Sequence, residues 1–156
     1  MEEEFHKALK YSFLLLRYRD RSEKELLQRL GRKSFSDETG RQVVGYLKEK
    51  GFIDDERLAG MLKRTAVDQK KLGKRGVVNY LMSRGIPAEI IDGVSGEDGD
   101  YTGAAESFVS RKMKQMRGLD EATVRRRLWG ALARKGFSPD IIRKVMRPVI
   151  PEEVEL

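Results

Sequence analysis

Apolar residues along this chain recur three to four positions apart. Nowhere do they alternate with polar residues over a stretch long enough for a convincing strand. Leu26, Leu27 and Leu30 form one such helical stripe, and at an offset of 51 residues the stripe returns twice. Leu26, Val77 and Leu128 align, as do Leu30, Leu81 and Leu132; then Ser34, Gly85 and Gly136; then Phe35, Ile86 and Phe137. Ser36, Pro87 and Ser138 follow, and Val43, Val94 and Val145 close the match. The phrases LGRKSFSDETG (30–40), LMSRGIPAEII (81–91) and LARKGFSPDII (132–142) are therefore three versions of one unit. A repeat of this length is the mark of stacked supersecondary units.

Local signals set the helix ends within each unit. Ser22 with Glu25 fits a capping box, and Ser138-Pro139 reads as an N-cap followed by an N1 proline. Ser36, followed by Asp37 and Glu38, places acids at the positive end of a helix dipole. Asp54 is placed to cap the helix beginning DERLAGML, after Gly51 closes the helix before it. The positions after Lys33, Arg84 and Lys135 suit a left-handed C′ residue, and glycine fills two of the three. The pattern predicts nine helices, at about 3–18, 22–33, 37–50, 55–71, 74–84, 87–94, 101–117, 121–135 and 139–147. The fold class expected is all-α: three tandem three-helix repeats (1–51, 52–100 and 101–148) and an acidic tail (149–156), forming an elongated array with scope for curvature. A unit of this size buries too little surface to stand alone, so its neighbours must supply the rest. The Gly-rich, acidic SGEDGD at 95–100 is the best candidate hinge, and Trp129, aligned with Leu27 and Val78, is expected to fill a core position.

Composition narrows the function. With 156 residues and no cysteine, the chain has no disulfide and no thiolate metal site. FLLL at 13–16 is cut short by Arg17, and the opening MEEEFHKALK lacks an apolar signal region, so a soluble, cytoplasmic protein is expected. His6 is the sole histidine, which leaves no metal cluster and no partner for a serine triad. KKLGKRG at 70–76 offers glycines and cations without the spacing of a phosphate-binding loop, and is taken as a helix–helix turn. Asp54-Asp55-Glu56 is better explained by helix capping than by a magnesium ion. No catalytic residue, metal or cofactor is expected.

Charge is what remains. The net charge is +7, and it is uneven: residues 101–148 hold 12 Lys and Arg against 4 Asp and Glu, net +8, whereas 52–100 are net −1. Such a surface favours nucleic acid or an acidic protein face. On a helix over 121–135, Val124, Leu128 and Leu132 mark the buried stripe; Arg126 and Arg127 point away from it, with Arg134 one i+7 step beyond Arg127. Gly130 between them leaves room for a partner, and Arg125 projects toward the apolar side. The candidate binding residues are Arg126, Arg127, Arg134 and Lys135, with Arg111, Lys112, Lys114, Lys74 and Arg75.

The segments RSEKELLQRLGRKSF, VVGYLKEKGFIDDERLAGML and LGKRGVVNYLMSRGI resemble the RecX family of regulatory proteins, over roughly residues 7–147. KGFIDDERLA (50–59), between two helical units, carries the most specific part of the likeness; Ser34 stands where the family's phrase has glycine, and Arg64-Thr65 opens a less basic helix than many relatives show. The resemblance implies three tandem three-helix repeats and binding to the RecA nucleoprotein filament; a monomer is expected. Family members are thought to lie in the filament groove, to bridge its subunits, and to inhibit its ATPase, strand-exchange and coprotease activities, which ties them to recombination, DNA repair and the SOS response. It carries no catalytic residues over. Two other readings stand beside it: a helix-turn-helix module that binds single- or double-stranded DNA directly, and a passive adaptor for an acidic protein. The repeat architecture predicts a radius of gyration above roughly 18 Å, against about 15 Å for a compact chain of this length. Small-angle scattering at the compact value would overturn the stacked-repeat expectation.

Overall fold

The structure, a computed structural model, describes residues 2–149, so most of the expected acidic tail lies outside the described residues. Among these there are nine α-helices and no strand. They are α1 (Glu2–Tyr18), α2 (Glu23–Arg32), α3 (Asp37–Glu49), α4 (Asp55–Asp68), α5 (Lys74–Ser83), α6 (Ala88–Ser95), α7 (Thr102–Gln115), α8 (Glu121–Arg134) and α9 (Pro139–Met146). The three helical repeats are thus α1–α3, α4–α6 and α7–α9. Helix α4 stops at Asp68, short of the expected 71, because the turn that follows places Lys71 at φ 53. The segment expected as a hinge is instead a pinned turn. Asp98–Tyr101 forms a 3₁₀ helix, Glu97 N–H donates to the Asp100 carboxylate (2.9 Å), and Ser138 donates its hydroxyl to Asp98 (2.7 Å). Tyr101, fully buried, donates its hydroxyl to the Ser95 carbonyl, and burial raises its pKa.

The chain packs as two compact units, Met1–Met61 with Leu81–Ile91 and Leu62–Tyr80 with Asp92–Leu156. The division falls inside α4 and α5, so the middle repeat contributes to both. In the first unit α3 packs on α1 and α2 around Leu15, Leu26, Leu30, Val43 and Leu47. In the second, α9 packs on α7 and α8, and Val109, Leu128, Leu132 and Ile142 are closed from solvent. The aligned positions Leu26, Val77 and Leu128 are each fully buried, as are Leu30, Leu81 and Leu132. Trp129 corrects the expectation of a core residue: it is 38% exposed, as its aligned partner Leu27 is. Both lie one residue beyond the stripe, about 100° around the helix from its centre.

The helix starts follow the local signals. Ser22 accepts from Glu25 N–H while Glu25 accepts from Ser22 N–H, which completes the capping box. Ser36 and Ser138 cap α3 and α9 by accepting from Thr39 and Ile141 N–H, without the reciprocal bond, and Asp54 accepts from Arg57 N–H (3.1 Å). Asp55 does something else. Its carboxylate crosses to accept from Glu23 N–H (3.0 Å), so KGFIDDERLA ties α4 to the first turn of α2. Burial is the main cause that raises the Asp55 pKa, opposed by that hydrogen bond.

The helix ends share one device. Ser34, Gly85 and Gly136 all take left-handed backbone, at φ 70, 81 and 90. Each is the C′ residue of a Schellman turn: the next N–H, from Phe35, Ile86 or Phe137, reaches back to Leu30, Leu81 or Leu132 (3.1–3.2 Å). Glycine is needed for a second reason at two of them. A Cβ on Gly85 would meet the Ser22 hydroxyl at 2.6 Å, and one on Gly136 would overlap the main chain of Gly76. Gly73 and Gly76 complete that crossing, since side chains there would strike Phe137 N and Lys135 O. This is why KKLGKRG holds its glycines. Gly73 N–H donates to Lys135 O (2.9 Å) across the contact. Each later repeat therefore sets its C′ glycine against the start of the second helix in the repeat before. Ser34 is the exposed C′ of the first repeat and meets no such neighbour, so a side chain is tolerated.

The repeat register yields two predictions. Ser34→Gly relieves left-handed strain and is expected to add about 1 kcal/mol of stability, whereas Gly136→Ala collides with backbone and is expected to cost more than that. Equal melting temperatures for these two variants would remove the distinction. Leu→Ala at Leu30, Leu81 or Leu132 is expected to cost about 2–5 kcal/mol each in denaturant titrations. Parent-like unfolding of all three would mean that the register is wrong.

Candidate functional site

Helix α8 presents the cations that the sequence singles out. Asp120 caps it by accepting from Thr123 N–H, and a hydrogen bond with the Thr123 side chain is the leading cause that lowers the Asp120 pKa. Val124, Leu128 and Leu132 are buried, while Arg126, Arg127 and Arg134 are exposed, as the 100° periodicity requires. Arg125 is half-buried and pairs with Glu121 (3.6 Å). Gly130 is not an open gap for a partner. The Arg134 guanidinium folds back over it, 3.2 Å from where a Cβ would stand.

Lys135 is also not the exposed cation expected. It is half-buried, its ammonium donates to the Lys70 carbonyl (2.8 Å) and lies 5.4 Å from the Phe108 ring centroid. Lys112 reaches the same ring at 5.8 Å, so these two are held by packing, while Arg111 and Lys114 on α7 are exposed. The glycine crossing also brings the start of α5 to the end of α8: Arg75 N–H donates to Gly136 O (3.3 Å). Arg75 is exposed there, and Lys74 beside it is half-buried. The structure thus joins Lys74, Arg75 and Lys135 at one end of α8, and leaves Arg126, Arg127 and Arg134 facing solvent along it.

A second cationic cluster, in the first unit, is one that the sequence did not single out. Glu25 accepts from Ser22 N–H with one carboxylate oxygen, and with the other from Arg19 (2.9 Å) and Arg84 (3.3 Å). Arg84 also donates to the Asp20 carbonyl (3.0 Å). Within this group the buried Nε of Arg21 has no hydrogen-bond partner. Burial, then the neighbouring Arg19, lowers the Arg21 pKa, with Arg29 and Arg84 acting in the same sense and Glu25 against them. The signal in the sequence was RYRDR at 17–21, but Arg84 joins from 59 residues beyond Glu25, and no local pattern shows that.

His6 is exposed and meets Phe5 edge-on, with 5.8 Å between ring centroids. Among the described residues no group of three His, Cys, Asp or Glu could hold a metal ion, and no helix is long and apolar enough to cross a membrane. A groove of about 650 Å³ runs along α1 past Leu9, Lys10, Phe13, Leu14 and Arg17. The arrangement is a set of charged and apolar surfaces suited to binding.

Comparison with known proteins agrees with this organisation. Three family models match in order: the first three-helix domain of RecX over residues 8–47, the second over 54–94 and the third over 100–146. The chain is 32% identical over 137 residues to a regulatory protein RecX of Streptomyces coelicolor, covering 86% of this chain and 73% of that one. A regulatory protein RecX of Amycolatopsis mediterranei is 29% identical over 153 residues, 97% of this chain and 87% of the relative. The crystal structure of RecX from Lactobacillus salivarius superposes with a TM-score of 0.82 at 18% identity, covering 96% of this chain and 98% of that one, which speaks for the fold. With each of its three helical domains matched in order, this chain belongs to the RecX family of regulatory proteins.

Proposed function

We propose that this protein binds a RecA nucleoprotein filament and inhibits its ATPase, strand-exchange and coprotease activities without chemistry of its own. Family membership supports a regulatory role. The observation that carries the choice of surface is α8: Arg126, Arg127 and Arg134 are exposed on a helix whose opposite face is fully packed. A rigid cationic face can reach DNA phosphates and acidic side chains alike, so attraction raises the encounter rate and close contacts lengthen residence. Arg111, Lys114 and Arg75 extend the exposed positive surface of the same unit. Lys112, Lys135 and Lys74 support it from half-buried positions.

Direct reading of DNA by a helix-turn-helix in the third repeat, with α8 or α9 in the major groove, is the weaker alternative. Ile141, Ile142, Val145 and Met146 of α9 are buried, and Arg143 is engaged by Asp140 at 2.7 Å. That leaves few side chains for base edges.

The test is single-stranded-DNA-dependent ATP hydrolysis by RecA, with parent or variant added. Arg127→Glu combined with Arg134→Glu is expected to weaken inhibition at least tenfold, about 1.4 kcal/mol, with melting unchanged. The control is Arg41→Glu with Arg57→Glu, an equal charge change at exposed positions of the first unit. Undiminished inhibition by a folded Arg127/Arg134 variant would move the surface elsewhere. Inhibition that disappears in step with free-DNA binding along a salt titration would favour simple DNA binding.

A further inference from the structure

Gly31 in α2 and Gly40 in α3 lie inside helices, where only proline is less favourable than glycine. Neither backbone nor packing calls for them. Neither takes left-handed backbone. Outside their own helices, a Cβ on Gly31 would meet nothing within 4 Å, and one on Gly40 would meet Leu27 Cδ2 at 3.4 Å, an ordinary contact. Both open onto one pocket of about 210 Å³, walled by Leu27, Leu30 and Phe35. The repeat alignment shows what a side chain there does elsewhere. At the register of Gly40 the other repeats carry Ile91 and Ile142, and both are closed from solvent. The first repeat keeps a pocket at the position where each of the others buries an isoleucine.

We propose that this pocket seats one branched aliphatic side chain, isoleucine or leucine, presented by a protein subunit of the RecA filament; the inference rests on the proposed binding to that filament. The buried isoleucines of the other repeats name the chemistry that fits. The volume lies below the roughly 300 Å³ at which small-molecule sites begin, so it suits a single side chain better than a cofactor. A nucleic-acid base needs an open aromatic face. Phe35 is half-buried and already packed against Tyr11, with 6.4 Å between ring centroids. At the rim Asp37 and Arg41 are exposed and of opposite charge, so selection is by shape and apolarity. A charge change at Arg41 leaves that apolar floor intact. An apolar anchor seated in a pocket and ringed by polar groups is where protein interfaces concentrate their binding energy. Such a contact is not screened by salt, unlike those of the cationic face of α8.

The experiment fills the pocket from either wall of the full chain and reads single-stranded-DNA-dependent ATP hydrolysis by RecA. Gly40→Ile gives the first repeat the residue that the others carry, and Gly31→Leu enters from α2, where nothing stands within 4 Å. Each removes a helix glycine, so the melting temperature is expected to hold or rise. Inhibition is expected to weaken at least about tenfold, the scale of one anchoring side chain. Gly40→Ala, which leaves most of the space open, is expected to melt higher than the parent and to inhibit like it. Gly31→Leu decides the matter even if Gly40→Ile fails to fold. Parent-like inhibition by a folded, filled variant overturns the pocket and leaves the proposed regulation of the filament standing. A parent chain that does not inhibit RecA overturns that regulation, and this contact with it. Affinity for a labelled oligodeoxythymidylate, read by fluorescence anisotropy, is expected to stay unchanged in the filled variants. If it falls in step with inhibition, the occupant is nucleic acid and the protein assignment is wrong.

Discussion

The contact on which the repeats depend is a main-chain crossing at a left-handed turn. Gly136 rests on the main chain of Gly73 and Gly76, and Gly85 rests on the side chains of Ser22 and Lys24. Two requirements meet at one atom. The Schellman turn wants positive φ, and the neighbouring helix start wants the space where a Cβ would be. Glycine alone satisfies both. The turn in turn places Ile86 or Phe137 back over the leucine that ends the buried stripe, so helix termination, repeat contact and core closure are one event. A unit too small to stand alone becomes stable through these shared edges.

The crossing also decides what the nearby cations do. Arg84 and Lys135 each precede a C′ glycine, and each reaches a main-chain carbonyl in the turn before the preceding repeat's second helix, at Asp20 and Lys70. Lys33, at the same register in the first repeat, lies over the Tyr11 ring instead, at 5.3 Å. Basic residues at this register fasten repeats together. Cations away from it, Arg126, Arg127 and Arg134 on α8, face solvent. Position relative to the glycine thus separates the cations held within the fold from those that face solvent.

Most of the fold was legible in the chain because its signals are local. Helix periodicity, serine and aspartate caps, and the 51-residue register each depend on residues within a turn or two of one another, and each appears where expected. Local signals failed where helical phase or a neighbour overrode them. Trp129 followed the repeat alignment but sits beside the stripe, not in it. SGEDGD has hinge-like composition, yet Ser138 and its own backbone hold it as a turn.

For the candidate site less was legible, and the reason is range. The amphipathic phase of α8 is written in its own sequence, so the outward direction of Arg126, Arg127 and Arg134 could be read without a structure. Availability of a cation is different, because it depends on which acceptors arrive from far along the chain. Lys135 is engaged by a carbonyl 65 positions away, and Arg84 by one 64 positions away. The sequence by itself determined the helices, their caps and the threefold repetition, since these follow from backbone and side chains in immediate succession. The tertiary structure alone decided which positive charges are bound internally and which remain open, because that is settled by contacts between segments the sequence keeps far apart.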